Sequence, residues 1–564
     1  MYPYDVFREE ICAGLTSAIS RHYGMDIDVQ LEMPSEHADA AFPCFALAKI
    51  ARVAPPVIAQ TLAAEIDSDW TTKTEAVNGY VNFFIDSDQL AQHVLALIEG
   101  MKDRFGMQES RGISVIVEHT SANPNGPLHV GRARNPIIGD TLARLFRWDG
   151  YDVETQFYVD DMGKQVATLL WGLQHLESEP EKKKLDHGMV AYYQKAHAQA
   201  AENAEVNREI TEIIQRCEAG DTKILHDMKK AYQGVLEGII ESLQRINITI
   251  NNFVKESRFV LDGSVQQIVE ALSASNHTGY EDGALYLDLE AFGVHGRTTK
   301  FFLTRNDGTT LYATRDIAYH RWKARQVDQL VNVLGEDHKL ESKLVEIALT
   351  ILGERPPKPV FYSFVSLPDG KMSTRRGRVV YLDDLVDEAV ERAHEEVKKR
   401  REVTDDTARI IAEHVGTGAV RYNILKVRPE KAITFCWEEA LNFEGRSAPF
   451  IQYAHARCCA ILRKADGGSC SLHEKGVYRH QQEQALIKQL AAFPDIITAS
   501  RKESNPAAMA EYAHSLASIF NAFYRDCRVI GSKKESGRLA LVKATQVTLH
   551  NALYLLGITA LEEM

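Results

Sequence analysis

His129, Gly131 and Arg132 fall together in GPLHVGRARNPIIGDTLARL, Gly126 to Leu145, where a turn feeds an otherwise apolar helix. A helix needs no histidine, glycine and pair of arginines (Arg132 and Arg134) at its mouth for stability. An anionic ligand would use them. The first N–H groups of a helix have no intrahelical partner, and its dipole leaves partial positive charge there. Gly131 lets a ligand approach the backbone where a Cβ would stand in the way. His129 can donate a hydrogen bond to phosphate, and Arg132 brings a permanent charge in a planar fork. The cluster fits a polyphosphate, although H-x-G-R alone also fits a polar turn before a core helix.

A second cationic group lies far downstream in KMSTRRGR, Lys371 to Arg378. Lys371, Arg375 and Arg376, set among small residues after a strand, suit a transient pyrophosphate-like charge. The plainer alternative is an exposed basic loop. The other basic run, KKRR at Lys398 to Arg401, reads as a solvated helix face.

These two groups must be held by a larger frame. At 564 residues the chain exceeds one ordinary core, so about three domains are expected. Residues 1 to about 105 read as a small α+β module. Its first helix has Phe7, Ile11, Leu15 and Ile19 at helical spacing, and AVNGYVNFFID alternates as a strand around Tyr80 and Asn82. Residues 106 to about 405 read as a doubly wound, Rossmann-type α/β domain. ISVIVEHTS is an apolar strand, the His129 helix follows, and YDVETQFYVDDMG is the next strand. Charged helices from about 175 to 260 read as insertions, and GALYLDL, KFFLTRNDGTTLYATRD and VDQLVNVLGEDH as returning strands. Residues 406–564 read as a helical bundle without strands.

Composition narrows the functional classes. A formal net charge of −13 argues against indiscriminate coating of nucleic acid, DNA included, but leaves room for a selective RNA with local basic contacts. The eight cysteines form no C-x-x-C pair, so no structural metal and no disulfide framework are expected. No stretch reaches the roughly 18 uninterrupted apolar residues of a membrane helix, and the N-terminus has no signal-peptide pattern. A cytoplasmic protein, monomeric and without a membrane partner, is expected.

The histidine turn and KMSTRRGR, in this order and with a Rossmann-type pattern between them, resemble the HIGH and KMSKS signatures of class I aminoacyl-tRNA synthetases. The finer resemblance, over essentially the whole chain, is to arginyl-tRNA synthetases. VEHTSANPNGPLHVGRARNPIIGD is similar to that family's extended first signature, and LYATRDIAYH to its Y-x-T-R-D segment. The module with GYVNF resembles its added domain that touches the tRNA core, and the helical end with PFIQYAHAR its anticodon-binding domain.

The resemblance implies ATP-dependent activation of L-arginine and transfer to the 3′ end of tRNA(Arg), with Mg²⁺ accompanying ATP. It implies that His129, Gly131, Arg132, Lys371 and Met372 bind ATP, and that Lys371, Ser373, Arg375 and Arg376 serve the catalytic loop. Glu118, Ser121, Asn123, Tyr312 and Asp316 match arginine-binding positions, with His338, beside Asp337, a further candidate. Carboxylates facing a guanidinium make chemical sense, yet Asp316 could equally cap a helix and Glu118 pair with a nearby arginine. Tyr80 and Asn82 match contacts to the tRNA core. Tyr453, Phe520 and Tyr524 could stack on anticodon bases, although Phe520 and Tyr524 also share a helix face as core residues do. The chain departs from the family pattern in Arg132 at the fourth HIGH position and in Thr374 where the second KMSKS lysine stands, a task that passes to Arg375 or Arg376. The alternatives are a class I synthetase for another amino acid, a simpler adenylyltransferase, and a non-catalytic tRNA-binding paralogue.

Overall fold

A computed structural model describes residues 1–33, 38–177, 184–295, 299–306, 309–367, 370–371, 380–400, 402–465 and 478–564, with the side chains of 367, 370 and 371 left aside. The helix Pro3–Tyr23 buries the spaced Phe7, Ile11, Leu15 and Ile19. A three-stranded antiparallel sheet follows, formed by β1 (Ala40–Pro43), β2 (Thr71–Val77) and β3 (Tyr80–Ile85) in the order β1-β3-β2. AVNGYVNFFID is therefore not one strand. Asn78 and Gly79 both take positive φ, 50° and 87°, and turn the chain back between β2 and β3. Only Asn and Gly enter that conformation cheaply, so this pair makes the hairpin.

The central sheet is parallel throughout. It contains β4 (Ser114–Glu118), β5 (Asp152–Val159), β6 (Asn252–Lys255), β10 (Gln329–Gly335) and β11 (Lys358–Tyr362), in the order β11-β10-β4-β5-β6. Val115, Ile116 and Val117 of β4 are buried, as a β-branched run covered on both faces should be. The chain leaves β4 towards β5 on one side and returns through β10 on the other. That reversal opens a crevice at the C-terminal ends of β4 and β10, where doubly wound sheets bind ligands.

Helices Lys164–His175, Leu185–Glu202, Ala204–Glu218 and Thr222–Arg245 stand between β5 and β6. A small antiparallel sheet of β7 (Thr278–Glu281), β8 (Ala284–Asp288) and β9 (Lys300–Phe302) precedes β10. LYATRD does not continue as a strand: a helix runs from Tyr312 to Ala324. Asp316 thus lies in its second turn rather than at its cap.

Beyond residue 405 the chain is helical, with Asp405–Leu425, Ala448–Lys464, Gln481–Ala491, Phe493–Lys502, Pro506–Asp526 and Glu535–Leu555 as the long elements. One pairing there was not expected. After β12 (Val365–Leu367) and β13 (Gly370–Lys371), the two-residue β14 (Ile433–Thr434) runs parallel to β12. Lys398, Lys399 and Arg400 pair with Asp405 and Glu396 on an exposed face, the solvated role read for them.

Buried Arg421 joins these parts. Its guanidinium meets Asp140 at 2.6 Å, and the Leu556 and Ile246 carbonyls each at 2.7 Å. The helical end, the inserted helices and the His129 helix are therefore packed on a single charge. Among the described residues no helix is long and apolar enough to cross a membrane.

Candidate active site

His129 is the residue before a 3₁₀ turn, Val130–Arg132, that leads into the helix Arg134–Trp148. Its Nδ1 accepts the Gly131 N–H at 3.0 Å. The ring's proton is therefore carried on Nε2. A Cβ on Gly131 would stand 3.0 Å from His129 Nδ1, so glycine leaves room for the ring to lie down on the turn where a side chain would crowd it. Arg132 is exposed and His129 half-buried.

Arg134 has a different task from the one its place suggested. It is fully buried, donating to Ser363 O and Lys431 O at 2.6 Å each and to Arg428 O at 2.7 Å. No phosphate can reach it. The carbonyl dipoles hold the cation, and the cation holds residues 427–431 beside Ser363, which sets up the β12–β14 pairing. Burial pulls the guanidinium down to about 10.

KMSTRRGR from Met372 onward, with Ser373, Arg375 and Arg376, lies outside the described residues, as does the side chain of Lys371. Both flanks are placed. Upstream, β13 pairs with β12. Downstream, Val130 N–H donates to Val380 O at 3.1 Å, Leu382 N–H donates to Leu128 O at 2.8 Å, and His129 faces Tyr381 in a β-bridge. The cationic segment thus re-enters the fold alongside the histidine turn.

The end of β4 is strained. Thr120 and Ser121 take φ of 74° and 38°, unusual for any residue with a Cβ and more so for a β-branched one. The Asn135 side chain, one residue into the helix, pins them by accepting the Thr120 N–H at 2.7 Å while donating to Val333 O at 2.9 Å. This clamp ties β4, β10 and the histidine helix together. It directs Ser121 Oγ to Glu118 at 3.3 Å.

Glu118 and Asp316 come within one imidazole of each other. His320 Nδ1 lies 3.1 Å from Asp316, and its Nε2 lies 2.6 Å from Asn332 Nδ2 and 3.7 Å from Glu118. Glu118 does not enter the cleft alone: it is ion-paired with the fully buried Lys323, which also donates to Asn332 Oδ1 at 2.9 Å. The partner is a lysine rather than the arginine considered from the sequence. Asp316 sits deep in the cleft yet keeps 37% of its side chain accessible. Burial pushes its carboxyl up, but facing His320, Lys323 and His338 hold it below the ordinary range. Tyr312 starts the same helix, half-exposed, its hydroxyl accepting the Lys164 N–H at 3.2 Å. Asn123 is partly buried on the loop before His129, and His338 lies half-buried in the short turn after β10.

Two acidic residues were missed. Buried Glu256 faces Asp160 and is ion-paired at 3.2 Å with Arg315, one residue before Asp316. Burial and the facing Asp160 push Glu256 well above the carboxylate range, against the pull of Arg315. Among the described residues Glu256 Oε2 has no hydrogen-bond partner. His320 and Lys323 were missed too, although their spacing from Asp316, four and seven residues on, marks one helix face.

The remaining sites divide. Tyr80 and Asn82 lie half-exposed on β3, the Tyr80 ring edge-on to Phe45 at 5.2 Å. Phe520 is fully buried and cannot stack on a base, because its face of the helix Pro506–Asp526 points into the bundle. Tyr524, one turn on, is 44% exposed, and Tyr453 is 41% exposed. Between these tyrosines lies Arg457, its guanidinium 4.8 Å and 5.1 Å from their ring centres and bonded to Asn521 at 2.6 Å. Two rings and a cation thus line an open groove, the chemistry that base stacking requires.

A histidine turn at a helix mouth, at the switch point of a parallel sheet and beside an acidic pocket, is an arrangement suited to a nucleotide-using enzyme, and comparison identifies the class. Residues 94–437 match the family described as tRNA synthetases class I (R), catalytic domain. Residues 7–85 match the arginyl tRNA synthetase N terminal domain and residues 451–564 the DALR anticodon binding domain. The arginine–tRNA ligase of Methanocella arvoryzae is 47% identical over 96% of both chains, and that of Methanothermobacter thermautotrophicus 44% identical over 92% of both. The arginyl-tRNA synthetase structure from Thermus thermophilus superposes with a TM-score of 0.81 at 28% identity, over 99% of this chain and 100% of that one. The chain belongs to the arginyl-tRNA synthetases.

Proposed function

We propose that this chain activates L-arginine with ATP and passes it to the 3′-terminal adenosine of tRNA(Arg), releasing AMP and pyrophosphate. The arginine carboxylate attacks the α-phosphate of ATP, which enters with Mg²⁺. A terminal ribose hydroxyl then attacks the adenylate. Neither step calls for a side-chain base; positioning and charge neutralisation supply the rate. His129 donates from Nε2 and Arg132 from its exposed fork to the phosphates over the helix mouth, and Lys371, Met372, Ser373, Arg375 and Arg376 cover the departing pyrophosphate. Asp316 and Tyr312 receive the guanidinium, with Glu118, Ser121, Asn123 and His338 around them. Residues 1–105 with Tyr80 and Asn82 meet the tRNA core, residues 106–405 perform the chemistry, and residues 406–564 read the anticodon through Tyr453 and Tyr524. The protein works as a monomer in the cytoplasm.

The observation that carries this reading is the Asn135 clamp, which brings the phosphate turn and the Glu118–His320–Asp316 cluster to one crevice. Aminoacylation of total tRNA with each amino acid in turn tests it. Arginine alone is expected to be charged; charging with another amino acid, or none, overturns it. A simple adenylyltransferase has no use for the Arg457 groove.

Asp316→Asn is expected to raise the arginine KM by roughly 30-fold or more, as loss of one partner of a desolvated charge pair does, with the ATP KM little changed. Normal use of arginine by this variant would move the guanidinium site elsewhere. Tyr524→Ala is expected to raise the tRNA KM about tenfold, since one base–ring stack contributes roughly 1–3 kcal/mol. Steady-state charging over a tRNA series checks this, and an unchanged KM would remove Tyr524 from recognition.

A further inference from the structure

Asp383 stands two residues beyond Tyr381, in the first turn of the helix Leu382–Arg400. Its Oδ2 accepts from Lys184 Nζ at 2.7 Å and lies 2.9 Å from His187 Nε2. Both partners come from the start of the inserted helix Leu185–Glu202, and Lys184 is also bonded to Ser242 on the inserted helix Thr222–Arg245. The His187 ring meets the Tyr381 ring edge-on at 5.2 Å, and Tyr381 in turn faces His129 across the β-bridge. A continuous path thus runs from the inserted helices, through Asp383 and Tyr381, to the histidine turn.

We infer that Asp383 is a positioning residue of the activation reaction: the inserted helices grip it, and it holds residues 380–382 in register against Leu128–Val130 so that the His129 ring stays seated on Gly131. This deepens the proposed function and rests on it for the role of His129. It assigns the inserted helices a mechanical task in the chemistry. The groups facing Asp383 and His187 are Lys184 and Asp186 at the start of the inserted helix and Ser242 beyond it, while Asp384 and Asp186 face the neighbouring Tyr381. Against the upward push of burial, the hydrogen bonds from His187 and Lys184 keep Asp383 at about 2, so it is ionised wherever the enzyme works. Ligand atoms of Asp186, His187 and Asp383 lie within 4.8 Å of one another, a spacing that would also suit a metal ion. The Lys184 ammonium, 2.7 Å from Asp383 and 3.3 Å from Asp186, already takes the cation's place.

The test is Asp383→Asn in the full chain, which keeps shape and removes charge. Hydrogen exchange at the Val130 and Leu382 amides is expected to rise at least about tenfold, because local opening of that pairing becomes cheaper. The kcat of arginine-dependent ATP–pyrophosphate exchange with tRNA present is expected to fall about tenfold, with the arginine KM within about twofold of wild type. His187→Ala is expected to shift both readouts in the same direction, and His187→Gln, whose amide can still donate, to restore most of the loss. Unchanged exchange at the two amides, or an arginine KM that rises in step with the fall in kcat, would overturn the inference. If Asp383→Asn does not fold, the His187 pair decides with the same readouts. Were the wild type to charge no arginine, the functional reading would fail, while the amide exchange would still decide the role of Asp383.

Discussion

His129→Ala is expected to cut the kcat for arginine-dependent aminoacylation by about 100- to 1,000-fold, the loss that follows removal of one preorganised transition-state donor. The size follows from how the ring is held. Its Nδ1 is occupied by the Gly131 N–H, so the Nε2 proton is oriented before any ligand arrives, and no reorganisation is needed as charge builds on the phosphates. The variant should fold, because His129 is half-buried and the turn keeps its Val380 and Leu382 pairing through backbone atoms. Single-turnover adenylate formation separates the effect from tRNA transfer: the first step should carry the loss, and ATP affinity should change far less. A variant within about threefold of wild-type kcat would show that His129 makes no contact peculiar to the transition state.

Local chemistry was legible and long-range pairing was not. His129 and Gly131 could be read because a helix mouth that binds anions has requirements within a few residues of itself. Arg134, three positions beyond Gly131, was read in the same terms. Its carbonyl partners at Ser363 and Lys431 are 229 and 297 residues away, so nothing near it in the chain signals that it turns inward. Phe520 and Tyr524 lie four apart on one helix, and periodicity treats them alike. The neighbouring helices alone decide that one is core and the other faces the groove. The Asn78-Gly79 hairpin could have been read from its residue pair and was not. Asp316 was placed on the right segment but in the wrong kind of element, because YATRD carries β-type residues while the helix is set by the contacts of Ile317, Ala318 and Tyr319 with the core. The fold class thus lay in local pattern. The acidic pocket is assembled from β4, the loop after β5, and the Tyr312 helix, whose meeting no single stretch announces.

The buried pair behind that pocket gives the largest expected effect on stability. Lys323→Met is expected to cost about 3–5 kcal/mol, read from urea denaturation at neutral pH, because it leaves a buried carboxylate uncompensated. Lys323 is wholly buried over the Tyr319 ring, 4.4 Å from its centre, and burial lowers its pKa against the pull of Glu118. Without it, Glu118 keeps, among the described residues, Ser121 Oγ at 3.3 Å and His320 Nε2 at 3.7 Å. Adding Glu118→Gln should recover much of the loss, since removing both charges of a buried pair costs far less than removing one. A loss below about 1 kcal/mol in the single variant would mean that the pair is screened like a surface ion pair. The same variant probes the guanidinium site without kinetics. If bound arginine reaches Glu118, it supplies the missing positive charge, and saturating arginine should raise the melting temperature of Lys323→Met more than that of the wild type. Equal increments would place the guanidinium beyond Glu118 and leave Asp316, with Asp160 and Glu256 behind it, as the acidic wall that meets arginine.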